Sequence, residues 1–116
     1  MALKRYADRC EDRRVLLDEA LQNVVAACSV EPSVCEAYVF GSYAKKKIGP
    51  TSDLDILVVR DTDLGIIDRA VDLKKAARSR VNVDLVVVTP YEFAHTFPAS
   101  SFGRTVLEMA KRIYAA

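Results

Sequence analysis

The sequence predicts an α/β domain in which a small mixed β-sheet is covered by helices. Three valine-rich apolar runs, at residues 36–40, 53–59 and 82–89, have the length and composition of strands. Stretches with apolar residues at three- and four-residue steps flank and separate these runs. The resulting order is helix, strand, short helix, strand, helix, strand, helix, helix, which is typical of a sheet packed against helices.

Composition and charge indicate an ordinary soluble globular domain. The 116 residues suit one domain, with 51% hydrophobic and 28% charged residues. The formal net charge of +1 argues against strong nucleic-acid binding, which normally needs a basic surface. Small charged ligands and protein partners remain compatible with this balance.

The cysteine and histidine content excludes several kinds of site. The three cysteines have no C-x-x-C spacing, and His95 is the single histidine, expected at the surface or as a helix cap. A zinc site and a Ser–His or Cys–His nucleophile therefore lack most of their members. The opening MALKR leads into a charged helix, and no apolar run reaches membrane-spanning length, so we expect a cytoplasmic protein.

The first half of the chain is predicted to contain a long helix and two strands. A helix over residues 3–28 has its apolar residues at helical spacing, and its charged segment 4–14 is expected on the surface with local ion pairs. After the strand at 36–40, residues 42–47 are predicted to form one or two helical turns. In the strand at 53–59 one face carries Leu54, Ile56 and Val58, and the other carries Asp53, Asp55, Leu57 and Val59.

The second half is predicted to be mainly helical around the third strand. A helix over residues 64–79 is expected to bury the stripe Ile66, Ile67, Ala70, Val71, Leu73 and Ala77. Thr89 and Glu92, with Pro90 between them, have the spacing of a capping box for a short helix to about residue 96. A last helix is expected from Ser100 or Ser101 through Ala115.

Three aspartates and a Gly-Ser turn carry the chemistry that the sequence predicts. Asp53 and Asp55 project from the same face of one strand, beside the turn at Gly41 and Ser42. Asp84 lies in the third strand, and adjacent strands would bring the three carboxylates together. Such hard oxygen donors suit Mg²⁺, and two ions can stabilise both oxygens of a phosphoryl displacement. Backbone N–H groups near a helix start favour phosphate.

Each of these features has a simpler structural interpretation when it is taken alone. Aspartate pairs are common at strand starts and turns, and Asp84 could be held by a backbone or arginine partner. Neither G-x-G-x-x-G nor G-x-x-x-x-G-K-[ST] occurs, so the better-known phosphate-binding loops are absent from the sequence. The combination of the Gly-Ser turn with all three carboxylates favours a functional site.

The combined motif, GSYAKKKIGPTSDLD followed by VDLVVV, resembles the minimal nucleotidyltransferase (MNT) family of the DNA polymerase beta superfamily. The resemblance covers residues 36–89. It implies a single nucleotidyltransferase domain over residues 1–116, with an N-terminal helix at 1–30, the catalytic core at 36–89 and C-terminal helices at 90–116. It also implies metal-dependent transfer of a nucleotidyl group, usually AMP from ATP, to a hydroxyl.

The family resemblance assigns a role to each motif residue. It implies that Gly41, Ser42 and Lys45 bind the triphosphate of ATP, and that Asp53 and Asp55 hold two Mg²⁺ ions. Asp84 would complete the catalytic metal site and assist deprotonation of the acceptor. The family often has arginine and then glycine where this chain has Lys45 and Lys46. We therefore expect a more helical turn here, with altered phosphate contacts.

Small MNT proteins resemble the antitoxin half of HEPN/MNT toxin–antitoxin pairs. Because no acceptor-binding domain is evident, we expect the acceptor, a tyrosine of a HEPN-type toxin, to come from a partner chain. Two alternatives remain: a binding module that neutralises its partner without catalysis, and transfer to a small molecule such as an aminoglycoside. The sequence leaves open whether the protein forms a homo- or hetero-oligomer.

Overall fold

A four-stranded mixed sheet is the centre of the computed structural model, which describes residues 3–116. The strands are β1 (Val34–Phe40), β2 (Leu54–Arg60), β3 (Val83–Val88) and β4 (Lys111–Ala115), in the order β3-β2-β1-β4. The helices are α1 (Tyr6–Ser29), α2 (Gly41–Ala44), α3 (Asp68–Ala77), α4 (Pro90–Ala94), α5 (Thr96–Ala99) and α6 (Ser101–Met109). The predicted α/β class, with a small mixed sheet covered by helices, is confirmed.

The pairing of the strands fixes which side chains meet. β1 runs antiparallel to both β2 and β4, whereas β2 and β3 run parallel and are connected through α3. In this register Phe40 lies opposite Asp55, and Asp55 lies beside Asp84. The end of β1 and the starts of β2 and β3 therefore share one edge of the sheet.

The two faces of β2 pack against different helices, as the alternation of its residues predicts. Leu54, Ile56 and Val58 belong to a buried cluster with α1 and α3, while Leu57 and Val59 pack with α5 and α6. Helix α1 contributes residues at three- and four-residue spacing to the first cluster: Leu17, Ala20, Val24, Ala27 and Cys28. The side chains of Leu17 and Ile56 are fully buried, and truncating either to alanine typically costs about 2–5 kcal/mol.

The prediction of a last helix through Ala115 is wrong. Helix α6 ends at Met109, Ala110 has extended backbone angles, and the following five residues form β4 against β1. A segment as short as the five residues of β4 is compatible with either structure, so its residue spacing does not decide between helix and strand. The backbone hydrogen bonds of β1, more than 70 residues earlier in the chain, decide it.

The helix predicted over residues 64–79 is shorter than expected and buries fewer residues. Helix α3 begins at Asp68, so Ile66 and Ile67 precede it and are 77% and 79% exposed rather than buried. Leu73 and Ala77 are buried as predicted. The segment before the helix never joins the stripe that faces the sheet, which is why the isoleucines remain outside the core.

The predicted capping box and the predicted surface position of His95 are both confirmed. The capping box is present, because the Thr89 hydroxyl accepts from the Glu92 N–H and the Glu92 carboxylate accepts from the Thr89 N–H. His95 is exposed. No helix within residues 3–116 is both long and apolar enough to cross a membrane.

The buried Arg60 ties the end of β2 to α3. Its guanidinium donates to both carboxylate oxygens of Asp72, at 2.7 and 2.8 Å, and to the backbone oxygen of Arg69 at 2.7 Å. Its Nε donates to the Ser33 hydroxyl at 2.8 Å. With only 5% of Arg60 exposed, each of these partners replaces water that the guanidinium has lost.

We expect Asp72→Asn to lower the free energy of unfolding by about 1–3 kcal/mol at neutral pH, because a buried guanidinium loses its charged partner. Arg60 holds the pKa of Asp72 below its usual range, so this stabilisation is present above pH about 4 and is lost as the pH falls through the lowered pKa. Urea unfolding at several pH values measures it. Asp63→Asn, at an exposed site, is the control, and an equal loss in both variants would contradict the assignment.

Candidate active site

The three predicted carboxylates come together at the shared edge of the sheet. The parallel register places Asp55 of β2 directly beside Asp84 of β3, and Asp53 lies just before β2 on the same side as Asp55. Asp55 is partly buried, Asp84 is exposed, and the side chain of Asp53 is 44% exposed. The strand pairing therefore places two of the three carboxylates side by side, and the third lies two residues before Asp55 on the same face.

The negative charges of the three carboxylates repel one another. Burial raises the pKa of Asp55, and the nearby carboxylates of Asp84 and Asp53 raise it further, together with a hydrogen bond to Asp84. Asn82 donates from Nδ2 to Asp84 at 3.0 Å and partly offsets the charge there. An electrostatic environment of this kind stabilises a bound cation.

Gly41 brings the end of β1 against Asp55. Its φ of +72° lies in the left-handed region that favours glycine, and a Cβ atom there would overlap Oδ2 of Asp55. Its N–H points to the sulfur of Met109 at 3.3 Å, a weak acceptor. Ser42 is partly buried in α2, and Lys45 is exposed just after it. The turn therefore approaches the Asp55 carboxylate closely only because residue 41 is glycine.

The short helix α2 ends in a tight turn rather than continuing to residue 47. The N–H of Lys46 donates to the Tyr43 carbonyl at 3.1 Å, and that of Lys47 to the Ser42 carbonyl at 3.0 Å. Those two bonds form a Schellman motif, in which Lys46 adopts a left-handed φ of +59°. The expectation of a more helical turn at Lys46 is therefore wrong.

Arg13 is a residue near the site that the sequence did not indicate. It lies in the charged segment of α1 that was expected on the surface, yet its side chain is only 21% exposed. Nε donates to the backbone oxygen of Ser52 at 2.8 Å, and Nη2 lies 3.8 Å from Oδ1 of Asp53. No local pattern distinguishes this arginine from its neighbours, because its partners lie about 40 residues away.

The donor atoms fit a magnesium ion that retains water and shares substrate oxygens. Within residues 3–116, no three histidine, cysteine or acidic side chains form a ready-made metal-binding group. Mg²⁺ rarely needs one, since it commonly binds one or two carboxylates together with water and phosphate. The close pair of Asp55 and Asp84, with Asp53 next to it, supplies hard oxygen donors and unbalanced negative charge.

The aromatic side chains near the motif have structural partners. The hydroxyl of Tyr43 donates to Asp18 of α1 at 2.5 Å, and its ring lines a cavity of about 630 Å³ beside α1. This cavity includes Val39 and none of the three aspartates, because it lies on the face of the sheet turned toward α1. Tyr91 is exposed and lies against His95, with 4.4 Å between the ring centroids.

Comparison with known proteins gives matches along most of the chain. The family described as "Nucleotidyltransferase domain" matches residues 21–112. A structure described as a nucleotidyltransferase from Sulfolobus solfataricus is 24% identical, with a TM-score of 0.64 over 99% of this chain and 92% of that chain. Its similarity supports the predicted nucleotidyltransferase fold. No curated protein sequence matches the chain.

Two further similar structures contain toxin–antitoxin proteins. One is a toxin–antitoxin with AMP-PNP, 23% identical, with a TM-score of 0.59 over 83% of this chain and 73% of that chain. The other is a mutant of the toxin–antitoxin MntA–HpeT, 25% identical, with a TM-score of 0.50 over 76% of this chain and 65% of that chain. This chain therefore shares its fold with proteins found in such pairs.

Gly41→Ala is expected to lower the free energy of unfolding by about 1–3 kcal/mol, because the new methyl group overlaps Asp55 and the left-handed backbone strains alanine. Chemical denaturation of the metal-free protein measures this loss. Gly65→Ala is the matched control, since its new methyl group would meet no atom within 4 Å. Equal stability losses in the two variants would rule out the close approach.

Asp55→Asn is expected to stabilise the metal-free protein at pH 7, by about 1 kcal/mol or less, the scale of like charges in direct opposition across a sheet. The pKa of Asp55 is raised in the folded protein, so the ionised group opposes folding above the raised pKa, and this effect disappears below pH about 4. Urea unfolding with chelator at pH 7 and pH 3.5 tests the sign. Destabilisation at pH 7 would show that repulsion does not dominate.

Proposed function

The chain belongs to the nucleotidyltransferase domain family, and from that premise we propose that it transfers AMP from ATP to a hydroxyl group in a Mg²⁺-dependent reaction. The observation that carries the proposal is the arrangement at the shared edge of the sheet. Asp55 lies beside Asp84 there, and Gly41 packs against Asp55. Negative charge concentrated beside the turn at Gly41 and Ser42 suits a reaction in which metal ions and phosphates must be bound together.

In the proposed reaction each motif residue has a separate task. Asp53 and Asp55 would hold two Mg²⁺ ions, whose positive charge would stabilise the α-phosphate while the AMP group is transferred. Gly41 and Ser42, with Lys45, would bind the triphosphate. The acceptor oxygen forms a bond to the α-phosphorus while the bond to the bridging oxygen breaks and pyrophosphate leaves. Asp84, exposed at the edge of the sheet, would help to hold the catalytic ion and accept the proton of the hydroxyl.

We further propose that the acceptor is a tyrosine of a HEPN-type toxin and that the protein acts as its antitoxin. Two similar structures are of toxin–antitoxin proteins, one of them with AMP-PNP, which supports both a toxin partner and an adenine nucleotide. The exposure of Asp84 agrees with an acceptor that arrives from another protein, since this carboxylate is open to a large substrate.

A specific observation also favours a binding module that neutralises its partner by contact alone. The segment before α3 exposes Leu64, Ile66 and Ile67, and Val71 follows them on the helix. Contiguous exposed apolar patches mark protein interaction sites, and these four residues lie within one short segment. The two functions make different demands on Asp84, because only catalysis needs its carboxylate.

The proposal predicts transfer of label from α-labelled ATP to a HEPN-type toxin, when Mg²⁺ is present; the product of the adjacent gene is the first partner to test. Asp53→Asn and Asp84→Asn are expected to reduce the rate at least 100-fold, because each removes a charged oxygen from the metal site. Asp61→Asn, an exposed aspartate outside the cluster, is the matched control and should retain the full rate.

Several outcomes would contradict the proposal. Label transfer that survives both substitutions or the addition of chelator would exclude the acidic cluster as the site. An Asp84→Asn protein that transfers no label but still neutralises the toxin fully would show that binding alone is sufficient. Mass spectrometry of the modified toxin identifies the acceptor side chain, and modification elsewhere than tyrosine would correct that part.

A further inference from the structure

Arg13 connects helix α1 to the loop that leads into the acidic cluster. Its neighbour Arg14 provides a useful contrast, because Arg14 pairs at 2.5 Å with Glu11 and with Asp18, all within α1. The side chain of Arg14 is 46% exposed, whereas that of Arg13 is 21% exposed and reaches residues of the loop. Two adjacent arginines therefore have different roles, one local to the helix and one that links distant segments.

The contact of Arg13 is made with a turn that is already ordered. The Ser52 hydroxyl accepts from the N–H of Gly49 at 2.8 Å, and the N–H of Ser52 donates to the Gly49 carbonyl at 3.3 Å. Nε of Arg13 then donates to the Ser52 carbonyl at 2.8 Å. Because the peptide unit that carries this carbonyl also contains the nitrogen of Asp53, the bond restrains the backbone of Asp53 directly.

The distances show that the Ser52 carbonyl is a stronger partner of Arg13 than the Asp53 carboxylate. Its Nη2 lies 3.8 Å from Oδ1 of Asp53, which is longer than a hydrogen bond, while the bond to the Ser52 carbonyl is short. An arginine that mainly neutralises a carboxylate makes short hydrogen bonds to it, and these are frequently bidentate, as between Arg60 and Asp72. Arg13 therefore leaves the oxygens of Asp53 available to a cation.

We propose that Arg13 is a positioning residue that fixes the backbone of Asp53 so that its carboxylate shares a divalent cation with Asp55. The inference rests on the proposed metal site. Groups that orient metal ligands from outside typically contribute 10- to 100-fold to metal affinity. A second effect has the opposite sign, because the positive charge of Arg13 repels the cation. The change in metal affinity on removing Arg13 therefore separates positioning from simple charge compensation.

The test is a titration of the nucleotide-free protein with Mn²⁺, followed by electron paramagnetic resonance of the free ion. Arg13→Gln is expected to weaken Mn²⁺ binding about tenfold. Arg14→Gln, which also removes one positive charge from α1, should bind within about twofold of the unchanged protein, because single surface charges are strongly screened. Arg13→Lys keeps the charge and can reach the carbonyl, so its affinity should be intermediate. Thermal unfolding without metal is recorded for each variant.

Each outcome supports or overturns a defined part of the proposal. Tighter Mn²⁺ binding by Arg13→Gln would make Arg13 a counter-ion, and unchanged affinity with lowered thermal stability would make it purely structural; both overturn the inference alone. Absence of Mn²⁺ binding by the unchanged protein would overturn the inference alone, because the label-transfer assay tests the proposed function separately. Full binding by Asp55→Asn would overturn the metal site and the inference together. If Arg13→Gln does not fold, affinity of Arg13→Lys equal to that of the unchanged protein overturns the inference, and weaker affinity supports it.

Discussion

Repulsion among carboxylates at one edge of the sheet is the constraint around which the rest of the structure is arranged. The parallel register of β2 and β3 places Asp55 beside Asp84, and no other pairing of these strands would do so. Because Asp55 is partly buried, water screens its charge less than it would at the surface. The fold therefore maintains an unfavourable contact, and such contacts are typical of sites that gain stability when a ligand binds.

The surroundings of the cluster provide rigidity and little neutralisation. Gly41 packs against Asp55 without adding charge, and Arg13 makes its short hydrogen bond to the Ser52 carbonyl. By comparison, Arg60 at the other end of β2 is fully paired and holds α3 in place. The same strand therefore has a fully paired charge at one end, where Arg60 links β2 to α3, and a weakly compensated acidic cluster at the other.

Sequence reasoning predicted the features that depend on residues close together in the chain. The alternation of β2 placed Asp53 and Asp55 on one face, and the capping box at Thr89 followed from spacing alone. It failed for β4, whose strand partner is β1, and for Arg13, whose partners are on the loop before β2. Both depend on contacts across the fold, and such contacts have no local signature.

The end of α2 shows why a residue type can mislead where a backbone geometry is required. Glycine is the usual residue at the left-handed position of a Schellman motif, and a lysine there costs about 1 kcal/mol. Lys46 nevertheless adopts that conformation, because the bonds from Lys46 and Lys47 back to Tyr43 and Ser42 close the turn. The chain must reverse here to lead from the Gly41 turn to the start of β2. The geometry is therefore set by the two strands that the loop joins, and the residue at position 46 accommodates it.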